Sequence, residues 1–252
     1  WNGPAPKIVS GYTETELNNK ALYVFDTIAL HEQWDLNLGL RYDNFEGEAD
    51  GYSAAHVKTS SFESRDEKLS GRAGLVYKPA ENGRIYLAWG NSFNPSAESL
   101  ASSGGGLSAG TENLSPEKNE TWELGTKWEL LDKRLELDAA VFRVTKDNAR
   151  ETMADGSTQL AGKQRVQGVE VGVTGHITRQ WDVFANYTFL DSETLKAANT
   201  AAGIAREGQA LGNTPPRSLN LWTTYQLPAG WTLGYGARYV SERNVTSSTT
   251  AK

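Results

Sequence analysis

The chain has 252 residues, with 25 Lys and Arg against 31 Asp and Glu, a formal net charge of −6 and no cysteine. The acidic balance argues against a nucleic-acid partner, and the lack of cysteine excludes a disulfide framework or a thiolate metal site. Mean hydropathy is −0.54, and no run approaches the roughly 18 apolar residues of a membrane helix; a transmembrane β-barrel escapes that test, because only alternate residues face lipid.

A strand is expected over residues 21–30, apolar on both faces, followed by a tight turn at His31, Glu32 and Gln33. The next, over 34–45, alternates cleanly: Trp34, Leu36, Leu38, Leu40 and Tyr42 against Asp35, Asn37, Gly39, Arg41 and Asp43. Side chains of a strand point alternately to two faces, so one face is apolar and the other charged. After a loop over 47–66, Leu69, Ala73, Leu75 and Tyr77 oppose Ser70, Arg72, Val76 and Lys78. A turn over 80–83 leads into a strand carrying Trp89 and Phe93 toward a loop over 94–119. The Ser103-Gly104-Gly105-Gly106 run in that loop has no strand before it or helix after it, so it reads as a loop tip and not a phosphate cradle.

Trp122, Leu124, Thr126, Trp128 and Leu130 then oppose Glu123, Gly125, Lys127 and Glu129. A turn at Asp132 and Lys133 precedes a strand over 134–148 whose alternation blurs at Phe142 and Val144. A loop over 149–163 separates it from a strand with Val169, Val171 and Val173 opposite Glu170, Gly172 and Thr174. The turn over 178–180 opens a strand from Trp181 to Phe189, and a loop over 195–216 opens another from Leu219 to Tyr225. The turn over 228–230 opens the last, from Trp231 to Tyr239, and the segments before 21 and after 243 lie on the loop side. This makes about ten strands of roughly 10–14 residues, longer than the usual five or six and close to the length that crosses a membrane at a tilt. Short turns facing the periplasm and long loops facing outward are the asymmetry of an outer-membrane barrel.

The aromatic residues give a ruler. Trp34, Trp181 and Trp231 each follow a short turn, and Tyr42, Phe189 and Tyr239 stand on the same face toward the other end of the same strands. That spacing, at about 3.3 Å per residue and a tilt of about 40°, covers about 20 Å of a roughly 25 Å apolar band. Tyr77, Trp128 and Tyr225 join the turn-side girdle, and Trp89 and Trp122 the loop-side one. The soluble alternatives are hairpin-end core residues of a sheet or a β-propeller. A propeller packs four short strands into each period, whereas two long ones are found here.

No enzyme is indicated. His31, His56 and His176 are isolated, and no Gly-x-Ser-x-Gly elbow occurs. Candidate ligand contacts in the loops and at the barrel mouth are Tyr52, His56, Trp89 and Phe93, with Arg150, Lys163, Arg165, Arg206 and Arg217 to attract an anion. The competing reading of each cation is a solvated surface charge. The lumen face carries Arg41, Arg72, Lys127, Arg238, Asp35, Asp138, Glu170 and Asp182, a solvated wall of mixed charge.

Residues 113–150, NLSPEKNETWELGTKWELLDKRLELDAAVFRVTKDNAR, resemble the C-terminal half of TonB-dependent siderophore receptors. Leu114, Pro116, Glu117, Glu123, Leu124, Gly125, Lys127, Phe142, Lys146, Asn148, Ala149 and Arg150 hold the places of the family's recurring residues. Residues 168–193 and 212–228 resemble the hairpins that follow. The GKQRVQGVEVG and GNTPPRSLNLWTTY runs most resemble catecholate siderophore receptors, and hydroxamate receptors of the ferrichrome and coprogen type share much of them.

The resemblance implies an all-β, antiparallel transmembrane β-barrel, with about ten strands of a barrel of roughly 22. Residues 1–252 then read as a partial barrel domain, without signal peptide, without the family's N-terminal plug and TonB box, and without about three final strands. It further implies a receptor in the outer membrane of a Gram-negative bacterium that imports a ferric siderophore, of catecholate type, with TonB-supplied energy. Iron(III) would arrive as the siderophore chelate, with no cofactor bound directly by the protein. The implied partners are the siderophore, the TonB–ExbB–ExbD complex acting through the plug, and outer-membrane lipid and lipopolysaccharide, with the receptor a monomer. The open alternative is a passive channel, or an adhesin or phage-docking barrel, without TonB coupling.

Overall fold

The computed structural model describes residues 11–95, 114–152 and 158–244. They form one sheet of ten strands in sequence order, each antiparallel to the next. The strands are β1 (Tyr12–His31), β2 (Trp34–Tyr52), β3 (Lys58–Ala80), β4 (Gly83–Asn94), β5 (Glu117–Leu130), β6 (Leu135–Thr152), β7 (Thr158–His176), β8 (Trp181–Lys196), β9 (Arg217–Gln226) and β10 (Thr232–Val240). Five short turns join the hairpins at one end. At the other lie longer connections, one holding a short helix, α1 (Ala201–Ile204), capped by the Thr200 side chain.

Several strands are longer than the alternation indicates: β1 has 20 residues, β2 19 and β3 23. Most of the loop expected over 47–66 is ladder, from Gly47 against Ser64 to Gly51 against Ser60. Residues 12–20 are likewise strand, and β6 and β7 pair well into the loop expected over 149–163. The physical reason is that above Tyr42 its face turns polar, with Asn44, Glu46, Glu48 and Asp50, while Phe45 and Ala49 lie on the opposite face, so the apolar row that marks the strand breaks off. Backbone pairing continues there, supported across the strands by Arg65–Glu46 at 2.8 Å and Lys58–Asp50 at 2.7 Å. The Ser103–Gly106 tip lies outside the described residues.

Register partners in an antiparallel ladder share a face. Trp34 pairs with Tyr77, Leu36 with Leu75, Leu38 with Ala73 and Tyr42 with Leu69. The same face continues through Leu75–Leu87, Leu87–Leu124, Leu124–Val141, Val141–Val169 and Val169–Phe189. Its residues are uncovered, with Leu38, Leu40, Leu69, Leu75, Leu87, Leu124, Val141 and Val171 all 37–63 % exposed. A patch of that extent is far larger than a water-soluble surface carries and is suited to lipid.

Aromatic rows bound this patch. On the turn side Trp34 stacks on Tyr77 with centroids 4.6 Å apart. Trp128 lies over Gly83, where an added side chain would collide with the indole. Trp181 pairs with Tyr225 and Trp231 enters β10. The indole N–H groups of Trp128 and Trp181 donate to Thr126 and Thr223 at 2.7 and 2.8 Å, which spares them an unpaired donor beside lipid. On the loop side stand Tyr42, the Trp89–Trp122 pair, Phe189 and Tyr239.

Candidate functional site

The opposite face is polar, and its charges are largely paired side to side. Arg41 holds Asp43 through two hydrogen bonds of 2.8 Å, and Lys78 reaches Asp35 at 3.0 Å. Tyr86 donates to Glu123 at 2.6 Å, and Thr224 donates to Asp182 at 3.1 Å. Asp138 and Glu170 stand on the same face beyond them.

Midway along this face, β1 places Tyr23 and Phe25 two residues apart, level with Arg41 and Gly39, so both rings project the same way. They lie parallel, 6.2 Å apart at 8°. The Arg41 guanidinium sits 5.9 Å from the Tyr23 centroid, and that of Arg72 sits 5.6 Å from the Phe25 centroid. Gly39 separates Phe25 from Arg72 in the register, and a Cβ there would stand 2.9 Å from Arg72 Nε. The glycine therefore opens the space in which Arg72 reaches the ring. Around this shelf is a groove of about 370 Å³ lined by Tyr23, Phe25, Gly39, Arg41, Ser70 and Arg72, reaching Val24 and Leu40 of the opposite face. Arg41 is neutralised by Asp43, whereas Arg72 makes no ion pair among the described residues.

At the far end of the β2–β3 hairpin, Tyr12 stacks on Tyr52 at 5.0 Å and 12°. His56, in the left-handed conformation at φ 60°, lies 5.6 Å away, its Nδ1 within 3.3 Å of the Tyr12 hydroxyl. Asp50 beside them accepts from Lys58 and from Ser61, which holds its carboxyl below the usual range, and partial burial pushes the Tyr52 hydroxyl up.

The remaining site candidates separate. Arg150 anchors a strand end: its amide donates to Glu117 at 2.9 Å and its guanidinium reaches the Asn94 carbonyl at 3.4 Å. Lys146 completes this cluster at 2.9 Å from Glu117. Burial alone would raise the Glu117 carboxyl, but the Arg150 amide and the Lys146 ammonium outweigh it and hold the group below its ordinary value. Lys163 pairs with Asp147 at 3.0 Å, and Arg165 pairs with Glu193. Trp89 and Phe93 fall an even number of residues from Leu87, on the apolar face. Arg206 follows α1, and Arg217 stands opposite Phe189.

Only Tyr52 and His56 are brought together, joined by Tyr12, which the sequence reading did not select. Tyr23 and Phe25 were also not selected, and Arg41 and Arg72 were read only as wall charges. The usable signal was the register: the Glu32–Gln33 turn sets Phe25 opposite Gly39.

The whole chain, residues 1–252, matches the family model described as TonB dependent receptor-like, beta-barrel. It is 39% identical over 225 residues to the probable TonB-dependent receptor BfrD of Bordetella pertussis, covering 88% of this chain and 30% of that protein. It is 36% identical over 242 residues to the catecholate siderophore receptor Fiu of Escherichia coli K12, covering 87% of this chain and 31% of that protein. The crystal structure of the siderophore receptor PiuA from Acinetobacter baumannii superimposes with a TM-score of 0.82 at 33% identity, covering 90% of this chain and 34% of the other. The chain thus spans about a third of the length of these relatives. Its uninterrupted antiparallel strands, its apolar band between aromatic rows and these matches agree: the chain belongs to the TonB-dependent receptor family, in its β-barrel.

Proposed function

We propose that this chain is wall of an outer-membrane receptor that imports a ferric siderophore of the catecholate type, with energy supplied through TonB. Two things support the substrate class. One relative of 36% identity is a catecholate siderophore receptor. The observation that carries the reading is the Arg72–Phe25 shelf on the polar face, a cation without a carboxylate held over an aromatic ring. A ferric catecholate is anionic and built of flat rings, so it gains from a guanidinium and from ring faces together. Iron arrives already chelated, and the wall needs to recognise only the organic shell.

In this reading the short turns face the periplasm and the long hairpins face outward. The Tyr12–Tyr52–His56 cluster makes early contact at the tip, and Trp89 and Phe93 join the lipid-facing wall. The complete receptor is longer than this chain, as its relatives are, carries the plug that engages the TonB complex, and works as a monomer in outer-membrane lipid and lipopolysaccharide.

The test is growth under iron limitation of a strain lacking the gene, fed single siderophores. Growth lost on one or more ferric catecholates, and restored by the gene, is the expected result. Growth unchanged on all of them overturns the reading, and growth lost only on a hydroxamate overturns the catecholate assignment.

A further inference from the structure

The ladder between β3 and β4 runs from Ala80–Gly83 to Arg72–Gly90 and stops there. From Gly71 up to Lys58, β3 has β2 as its ladder partner, and from Asn91 to Asn94, β4 has β5. The wall therefore forks above Arg72. On one side stands a tall leaf of β1, β2 and β3, whose ladders reach up to Tyr12 and Lys58. On the other, β4 goes on with β5 alone.

A side chain closes the fork. One more step of the register would set Gly71 opposite Asn91, and the ladder does not include that pair. Instead the Gly71 N–H donates to Asn91 Oδ1 at 2.6 Å. The neighbour of Asn91 on its other side, Glu120 of β5, is engaged by Trp122 Nε1 at 3.0 Å, and the Asn91 carbonyl turns to β3. The surroundings of Gly71 are apolar, with Leu40 and Trp89 at 3.3 and 3.8 Å from an ideal Cβ. An amide there without a partner would carry the full cost of an unpaired donor.

This bond adjoins the Arg72–Phe25 shelf. Arg72 is the last rung of the β3–β4 ladder, and its guanidinium sits 5.6 Å from the Phe25 centroid in the space left free by Gly39. The groove around the shelf extends to Gly71 and Asn91. The last rung of a ladder is supported on one side only and opens first, and here it also bears the leverage of the tall leaf. Capping the next amide along β3 extends the support past Arg72.

We propose that Asn91 is a positioning residue for ligand binding, which caps the Gly71 amide at the fork and thereby keeps Arg72 over Phe25. It acts through Gly71 and Arg72 and not by contact with the ligand. The inference rests on the function proposed above, in which Arg72 meets the ferric catecholate.

The experiment measures binding of iron(III) tris(catecholate) to the complete receptor in a double-mutant cycle. Arg72→Ala is expected to weaken binding about tenfold, and Asn91→Leu about three- to tenfold, as the loss of one hydrogen bond implies. With both changes together, affinity is expected to match that of Arg72→Ala alone, because a residue that holds Arg72 then has nothing to hold. Hydrogen exchange of the Gly71 amide is expected to speed up about tenfold in Asn91→Leu. Asn91→Ala, which removes the acceptor without adding bulk, is read in the same way, and equal outer-membrane abundance shows that each variant is folded. Wild-type affinity in Arg72→Ala overturns the proposed ligand contact and the inference with it. Where Arg72→Ala does weaken binding, wild-type affinity in both Asn91 variants overturns the inference alone. So does a loss equally large with and without Arg72, or an unchanged exchange rate at Gly71.

Discussion

Trp89 and Trp122 stand opposite each other across the β4–β5 ladder, their ring centroids 6.3 Å apart and their planes tilted by 53°. They mark the loop-side edge of the apolar band, as Trp34 and Tyr77 mark its turn-side edge. Leu38 lies midway between Trp34 and Tyr42 on the same face. Leu38→Arg is expected to destabilise the complete receptor in lipid vesicles by about 2–4 kcal/mol, the cost of a cation near the bilayer midplane. Thr188→Arg, which points to the polar face opposite Glu170, is expected to change stability by about 0.5 kcal/mol or less. Urea titration of the two variants in the same vesicles checks the difference.

The shelf on the polar face makes a graded prediction. Arg72→Ala is expected to weaken ferric catecholate binding by about tenfold, because it removes a cation without a carboxylate partner. Arg41→Ala is expected to cost less, since Asp43 already holds that guanidinium. Equilibrium binding to purified receptor, read by quenching of intrinsic fluorescence, ranks the two.

Gly39→Val probes the same shelf without touching a charge. Its added carbons would occupy the space of Arg72 Nε and Cγ, 2.9 and 3.0 Å from an ideal Cβ. The long side chain can swing aside, so the receptor is expected to fold at wild-type levels while its affinity falls toward that of Arg72→Ala. Outer-membrane abundance measured beside binding separates the two effects.

Glu117 makes a pH prediction. Its carboxyl is held below the ordinary value by the Arg150 amide and Lys146, so the folded state binds fewer protons there than the unfolded chain. The stabilisation is complete above the ordinary glutamate value of about 4.3 and is lost as pH falls through the lower folded value. The protection factor of the Arg150 amide against hydrogen exchange is expected to be constant from pH 8 to about 5 and to fall at still lower pH. Glu117→Ala is expected to remove that protection at all pH values, at a local cost of about 1–3 kcal/mol for the unpaired buried donors.

The faces of the sheet were legible because alternation separates an apolar side from a polar one directly. Trp34 to Tyr42 and Trp181 to Phe189 each assign one side to lipid without any knowledge of partners. The upper halves of β2 and β3 were not legible, since after Tyr42 the apolar row breaks off on its own face and Phe45 and Ala49 fall on the other, so the ladder alone shows that the strand continues. The shelf was hidden for a different reason. Phe25 and Arg72 are far apart in sequence and meet only through two consecutive registers across Gly39. Arg150 looked like a ligand cation because its charge is visible in sequence, whereas its amide bond to Glu117 is not.

The most direct test is a cysteine scan over residues 36–43 of the complete receptor, each position carrying an environment-sensitive fluorophore. Brominated lipid is expected to quench positions 36, 38, 40 and 42, and a water-soluble quencher positions 37, 39, 41 and 43. Quenching without that alternation, or lipid quenching at the odd positions, would contradict a lipid-facing wall with Arg41 and Arg72 turned to the lumen.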